Sequence, residues 1–294
     1  MKERNQNRPF SGRKPLFLDG FRLMAQLSHL PRILNKQLRH LTKPRRKGVR
    51  VFGLGASKTG THTLAEMFEA DIRGGHEADA NRLIRLILHK VDTGDARPLH
   101  RFLKFRDMVR NLKIDSSSVN TYLIDDWLTL YPDSRFILTV RGPGSWLRSM
   151  VDHSVLRDPT PEWKRFRTYR FGENAGHPPQ EAVLAQAGLY PLAAYLDYWR
   201  VSVGSAFDKI PEGQLLVVPT YQIGAMADEI AAFCGLEAAS MPKTTHSYRN
   251  SFRSGLIEEI DPAYLAEVID RDVGDLARRA LPGWSVEKDL ERLG

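Results

Sequence analysis

One segment constrains this chain more than any other: Val51-Phe52-Gly53-Leu54-Gly55-Ala56-Ser57-Lys58-Thr59-Gly60-Thr61-His62-Thr63-Leu64. Arg50 to Gly55 is a short apolar run of the kind that a buried parallel strand needs. From Thr61 onward, Leu64, Met67 and Phe68 recur with helical spacing, so the loop between the two opens a helix. Helix N-termini carry unpaired amides and a partial positive charge, and a loop of small side chains lets a phosphate or sulfate approach them. Lys58 adds a point charge, and Thr59, Thr61 and Thr63 add hydroxyl donors. The segment reads as an anion cradle between a strand and a helix.

Spacing narrows the kind of cradle. The Walker pattern fits Gly55 and Gly60, but Thr61 stands where its lysine belongs and His62 where its magnesium-binding hydroxyl belongs. The dinucleotide pattern begins with Gly53 and Gly55 but puts Lys58 at the third glycine, where helix and strand must pack closely. Lys58-Thr59-Gly60 also occurs in penicillin-recognising enzymes, yet no S-x-x-K nucleophile precedes it and the strand-to-helix context differs.

A second segment has the same architecture. Ser134 to Arg141 is an alternating to fully apolar strand ending in an arginine. Gly142-Pro143-Gly144-Ser145-Trp146-Leu147-Arg148-Ser149 then turns into a helix, with Ser149 eight residues after Arg141. The order lysine, hydroxyl, glycine, threonine, any residue, hydroxyl resembles the 5′-phosphosulfate loop of the sulfotransferases that use 3′-phosphoadenosine 5′-phosphosulfate (PAPS). The Arg141 and Ser149 pair resembles their 3′-phosphate motif. His76-Glu77, Asp115 to Asn120 and the run Leu215 to Val218 are similar to segments of bacterial members, and the likeness covers roughly residues 48 to 255.

The resemblance implies an α/β, P-loop-like three-layer fold with a central parallel sheet flanked by helices. It implies PAPS as donor, 3′-phosphoadenosine 5′-phosphate (PAP) as product, no metal, and a hydroxyl or amine acceptor. Ser57, Lys58, Thr59, Gly60, Thr61, His62 and Thr63 would then hold the 5′-phosphosulfate, with Lys58 also stabilising the leaving group, and Arg141 and Ser149 the 3′-phosphate. The R-K-G and G-D-W-K elements of animal cytosolic members are not recognisable, and Arg249 and Arg253 are the substitutes offered for that third contact. The base in relatives is a histidine or glutamate near the sulfate. That makes Glu77 and His76, then Asp115, the candidates, with Glu66 on the loop's own helix also within reach. Each of these carboxylates could equally cap a helix or organise a turn.

Strand and helix patterns alternate from 50 to 235, which implies a parallel sheet with right-handed crossovers and ligands beyond the strand C-termini. Strands are expected at 50–55, 112–115, 135–140 and 214–219. Helices are expected at 61–70, 79–91, 98–111, 119–131, 144–153, across 161–208, at 223–234 and at 262–280. Ala182 to Leu196 is uncharged but broken by Pro191 and too short to span a membrane, and Asp197-Tyr198-Trp199-Arg200 is read as the cap of that helical region. Cys234 has no partner in the chain and suits small core filler.

Charge separates the ends of the chain. Residues 1 to 50 hold 14 Lys/Arg against Glu3 and Asp19, a net of +12, while the remainder is net −4. The expected organisation is a basic extension, 1–47, before a sulfotransferase domain, 48–294. Phe17, Phe21, Met24, Leu27, Leu34, Leu38 and Leu41 give the extension an amphipathic pattern that could meet an anionic membrane peripherally or pack on the body. No secretory signal is evident, so a cytoplasmic protein is expected. Two other classes remain open: a nucleotide kinase, which lacks its magnesium-binding hydroxyl, and a nucleic-acid binder using the basic extension, which would leave both anion motifs unexplained.

Overall fold

Val51, Phe52 and Leu54 are all buried, yet Val51 joins one apolar cluster while Phe52 and Leu54 join another. Ile137 parts from Phe136 and Leu138 in the same way. Such division of consecutive buried residues marks strands covered on both faces.

The computed structural model describes residues 48–67, 74–156, 159–173, 176–236 and 252–291. The strands are β1 (Val51–Leu54), β2 (Gly74–His76), β3 (Ile114–Ser116), β4 (Arg135–Val140) and β5 (Leu215–Pro219). The helices are α1 (Thr61–Glu66), α2 (Ala80–Thr93), α3 (Arg97–Arg110), α4 (Ile124–Leu130), α5 (Pro143–Leu156), α6 (Pro161–Phe171), α7 (Ala182–Gln186), α8 (Leu192–Lys209), α9 (Ala227–Phe233), α10 (Pro262–Ala280) and α11 (Val286–Glu291). All strand pairs are parallel, in the order β2-β3-β1-β4-β5. The smaller apolar cluster packs α1 and α9 on one face, and the larger packs α2, α3, α5, α6, α8 and α10 on the other. This is the expected three-layer α/β architecture. The chain goes from β1 out to β2, returns through β3, and crosses β1 to reach β4. The crevice beyond the C-termini of these strands is therefore the topological switch point where such sheets bind ligands.

Four expectations need correction. β2 went unforeseen because Gly-Gly-His carries no strand signal; pairing with β3 makes it a strand, and a Cβ on Gly75 would lie 2.6 Å from the Leu112 side chain. The helix expected over 119–131 opens as a 3₁₀ segment, Ser118–Leu123, whose start is capped by the Ser117 hydroxyl accepting from the Val119 amide. Pro191 does divide the uncharged stretch, but it does so at the start of α8, so Asp197 to Arg200 lie within a helix and cap nothing. α11 was not anticipated. Cys234 is buried as expected, and burial pushes its thiol up to about 12.

The basic segment 1–47 lies outside the described residues, as do Phe68 and Arg249. Among the described residues no helix is long and apolar enough to cross a membrane.

At the end of β1 the chain turns through Gly55 at φ +136°, where an added Cβ would meet the Thr139 carbonyl at 2.5 Å. Gly55→Ala is expected to cost about 2 kcal/mol through strain and overpacking. The expected readout is a lower urea midpoint at unchanged slope.

Candidate active site

Four of the five strands deliver a loop to the same cleft. Ser57 and Lys58 follow β1, Glu77 follows β2, Arg141 follows β4 and Thr220 follows β5. Together with Thr61, Thr63, His76, Arg148, Ser149 and Arg253 they line one cleft of about 940 Å³.

The loop after β1 is held by its own side chains and by remote ones. The Thr59 amide and hydroxyl both donate to the Ala56 carbonyl, and its hydroxyl lies 2.9 Å from that of Thr139. Thr220 donates its hydroxyl towards the carbonyls of Thr59 and Val140. Thr59 is fully buried, so it anchors the loop and its side chain does not face the cleft; that corrects its expected place among the ligand contacts. The Ser57 amide donates to the Tyr198 hydroxyl at 2.8 Å, and its carbonyl accepts from the Trp146 indole at 2.7 Å. Between these fixed points Lys58 is in the left-handed region at φ 76°, a conformation that a lysine keeps only when its surroundings impose it.

The second loop has a different electrostatic character. The Gly144 and Ser145 amides that open α5 donate to the Asp289 carboxylate of α11, at 2.8 and 3.4 Å. An acid from the C-terminal helix thus takes the place that an anion would hold at this helix end. The positive charge at this loop comes instead from side chains. Burial, and after it the charges of Arg148 and Arg253, lower the proton affinity of Arg141, while Asp289 opposes them. Three guanidinium groups therefore bear on one point of the cleft, an arrangement that a multiply charged anion would relieve. Ser149 lines the same cleft, although Arg141 itself donates to Ser145, at 3.3 Å.

The candidate bases separate. Asp115 is buried on β3 in a bidentate ion pair with Arg106, outside the cleft. It is not a candidate base. Arg106 also donates to the Ala78 carbonyl, at 2.9 Å, so the pair steadies the turn that carries Glu77. Glu77 and His76 line the cleft. Glu77 accepts from the Ser118 hydroxyl at 3.4 Å, and His76 Nε2 lies 3.3 Å from the Thr61 hydroxyl. The His62 ring meets that of His76 edge-on, and its Nδ1 is 3.4 Å from Glu66. Glu66 is engaged there and does not line the cleft.

Sequence reasoning missed Arg148, Asp152, His153, Trp163, Arg167, Arg170 and Thr220, all of which line the cleft. Two signals were available. Asp152 and His153 follow Ser149 by three and four residues, and Trp163, Arg167 and Arg170 share one helical face. No cluster of potential metal ligands occurs among the described residues.

Residues 50–177 match the family model described as the sulfotransferase domain. Two solved structures are similar. A sulfotransferase from Alicyclobacillus acidocaldarius is 15% identical, with 84% of this chain and 96% of that one covered and a TM-score of 0.44. The sulfotransferase domain of the Synechococcus PCC 7002 olefin synthase is 15% identical, with 86% and 96% covered and a TM-score of 0.37. No curated protein matches the chain.

Burial, and secondarily His62, press the His76 imidazole down from 6.5 to about 4. Between those values the unfolded chain binds a proton at His76 that the folded chain does not, so stability rises with pH across that window. His76→Gln should flatten this rise. In urea unfolding at about pH 4.5 and about pH 7, the wild type should lose more on acidification than the variant.

Proposed function

We propose that the protein transfers a sulfuryl group from PAPS to a hydroxyl or amine acceptor and releases PAP. The observation that carries this reading is the convergence of the Lys58 loop and the Arg141, Arg148 and Arg253 group in one cleft at the switch point of the sheet. Two separated cationic subsites fit a ligand with anions at both ends. Thr61, Thr63 and the positive end of α1 hold the 5′-phosphosulfate, and Arg141, Arg148, Ser149 and Arg253 hold the 3′-phosphate.

Bound there, the donor supplies a sulfuryl group: the acceptor oxygen bonds to sulfur as the bond from sulfur to the phosphate oxygen breaks. Lys58 balances the charge that gathers on the departing oxygen, much as cationic clamps do in phosphoryl transfer. Glu77 takes the acceptor proton. His76, kept neutral by burial, orients beside it through Thr61. The loop anchors at Thr59, Tyr198 and Trp146 hold Lys58 in place before the reaction, which is where positioning lowers the barrier.

Calorimetric titration with PAP, 5′-AMP and magnesium ATP tests the donor. Arg141→Ala should weaken PAP binding about ten-fold or more while barely changing 5′-AMP. No PAP binding by the wild type, or a preference for magnesium ATP, overturns the reading in favour of a kinase. Lys58→Ala should lower turnover with labelled PAPS by roughly 10²- to 10³-fold, with a smaller loss of PAP affinity.

A further inference from the structure

Arg170, near the end of α6, is only 8% exposed and lines the cleft. Its guanidinium carbon lies 4.7 Å from the ring centre of Tyr198, 4.8 Å from Phe166, 5.2 Å from Phe171 and 5.8 Å from Trp163. Its Nε and Nη1 are buried without a hydrogen-bond partner. Neighbouring Arg165 and Arg200 hold Asp92 and Asp197, but no carboxylate among the described residues pairs with Arg170. A buried cation without a counter-ion is costly, and aromatic faces offset only part of that cost.

The location gives this charge a purpose. Tyr198 faces Arg170 with its ring and accepts from the Ser57 amide with its hydroxyl. Arg170 is therefore one side chain away from the Lys58 loop. The arginines that bear on Arg141 are Arg148 and Arg253, a separate group. Given the donor reading above, on which this inference rests, the two ends of PAPS occupy the Lys58 loop and the Arg141 group. The aromatic-caged cation then faces the remaining space, where the acceptor enters.

We propose that Arg170 anchors an oxyanion on the acceptor, a carboxylate, sulfate or phosphate separate from the hydroxyl that receives the sulfuryl group. The acceptor class is thus an anionic hydroxy compound, with an apolar or aromatic body against Trp163.

The test titrates the full chain, saturated with PAP, with 4-hydroxybenzoate and its neutral counterpart 4-hydroxybenzamide. Wild type should bind the carboxylate about ten-fold more tightly than the amide. Arg170→Gln should abolish that preference and Arg170→Lys should keep part of it, with PAP and PAPS affinities unchanged in both. Thermal melting checks folding, and the charge-conserving lysine variant decides the matter if the glutamine variant does not fold. Equal binding of the two probes, failure of both to bind, or a preference that survives Arg170→Gln overturns the proposal. Weakened PAPS binding by Arg170→Gln also overturns it, by assigning the residue to the donor. Failure of wild type to bind PAP would instead sink the donor reading. The carboxylate preference is then measured on the nucleotide-free chain and stands or falls separately.

Discussion

Two adjacent aromatic residues on one helix hold both the loop after β1 and the loop after β4. Tyr198 accepts the Ser57 amide, and the Trp199 indole donates to the Arg141 carbonyl at 3.0 Å. Consecutive residues on a helix point about 100° apart, so a single rigid element can reach two loops that are more than eighty positions apart in the chain. Trp146 closes the arrangement from α5 by donating to the Ser57 carbonyl. All three rings are buried in the larger apolar cluster, so the geometry of the loops depends on core packing. Polar anchors made by otherwise apolar residues are stiff, because moving them means opening the core.

The second organising constraint is electrostatic. The chain beyond residue 50 carries a net negative charge, yet its cleft gathers Lys58, Arg141, Arg148, Arg167, Arg170 and Arg253. Several acidic groups near the site have structural partners. Asp289 caps α5, Asp115 holds Arg106, and Asp152 accepts from the Ser254 amide and hydroxyl. Asp115 is thereby kept away from the cleft, whereas Asp152, 3.6 Å from Arg253, and Glu258, 3.6 Å from Arg148, offset only part of its positive charge. A positive cleft in an acidic domain draws anionic ligands to one point and repels them elsewhere.

Much of this was legible in the residues. The strand from Arg135 to Val140 and the helix from Pro262 to Ala280 are found where periodicity put them. The loops after β1 and β4 lie side by side, as two anion motifs at strand ends require. The failures have physical causes. Gly74 to His76 has no intrinsic strand preference and becomes a strand only through the neighbour that pairs with it. Asp115 looked available because its partner, Arg106, is on a helix nine positions earlier, with no local pattern to announce the pairing. Thr59 stands among residues that face the ligand side, but the hydroxyl of Thr139 draws it inward.

What the sequence determined by itself was therefore local: the strand, the glycine turn, the helix that follows, and the residue types that an anion demands at their junction. Backbone preference and apolar periodicity act over a few residues, so a short stretch carries them whole. Which side chains would be free to act was decided only by tertiary structure. Whether a carboxylate is a base or a buried ion-pair partner depends on burial and on charges brought in from distant elements. So does whether an arginine is a surface group or a caged cation, as with Arg170. Those energies exist only once the layers have packed.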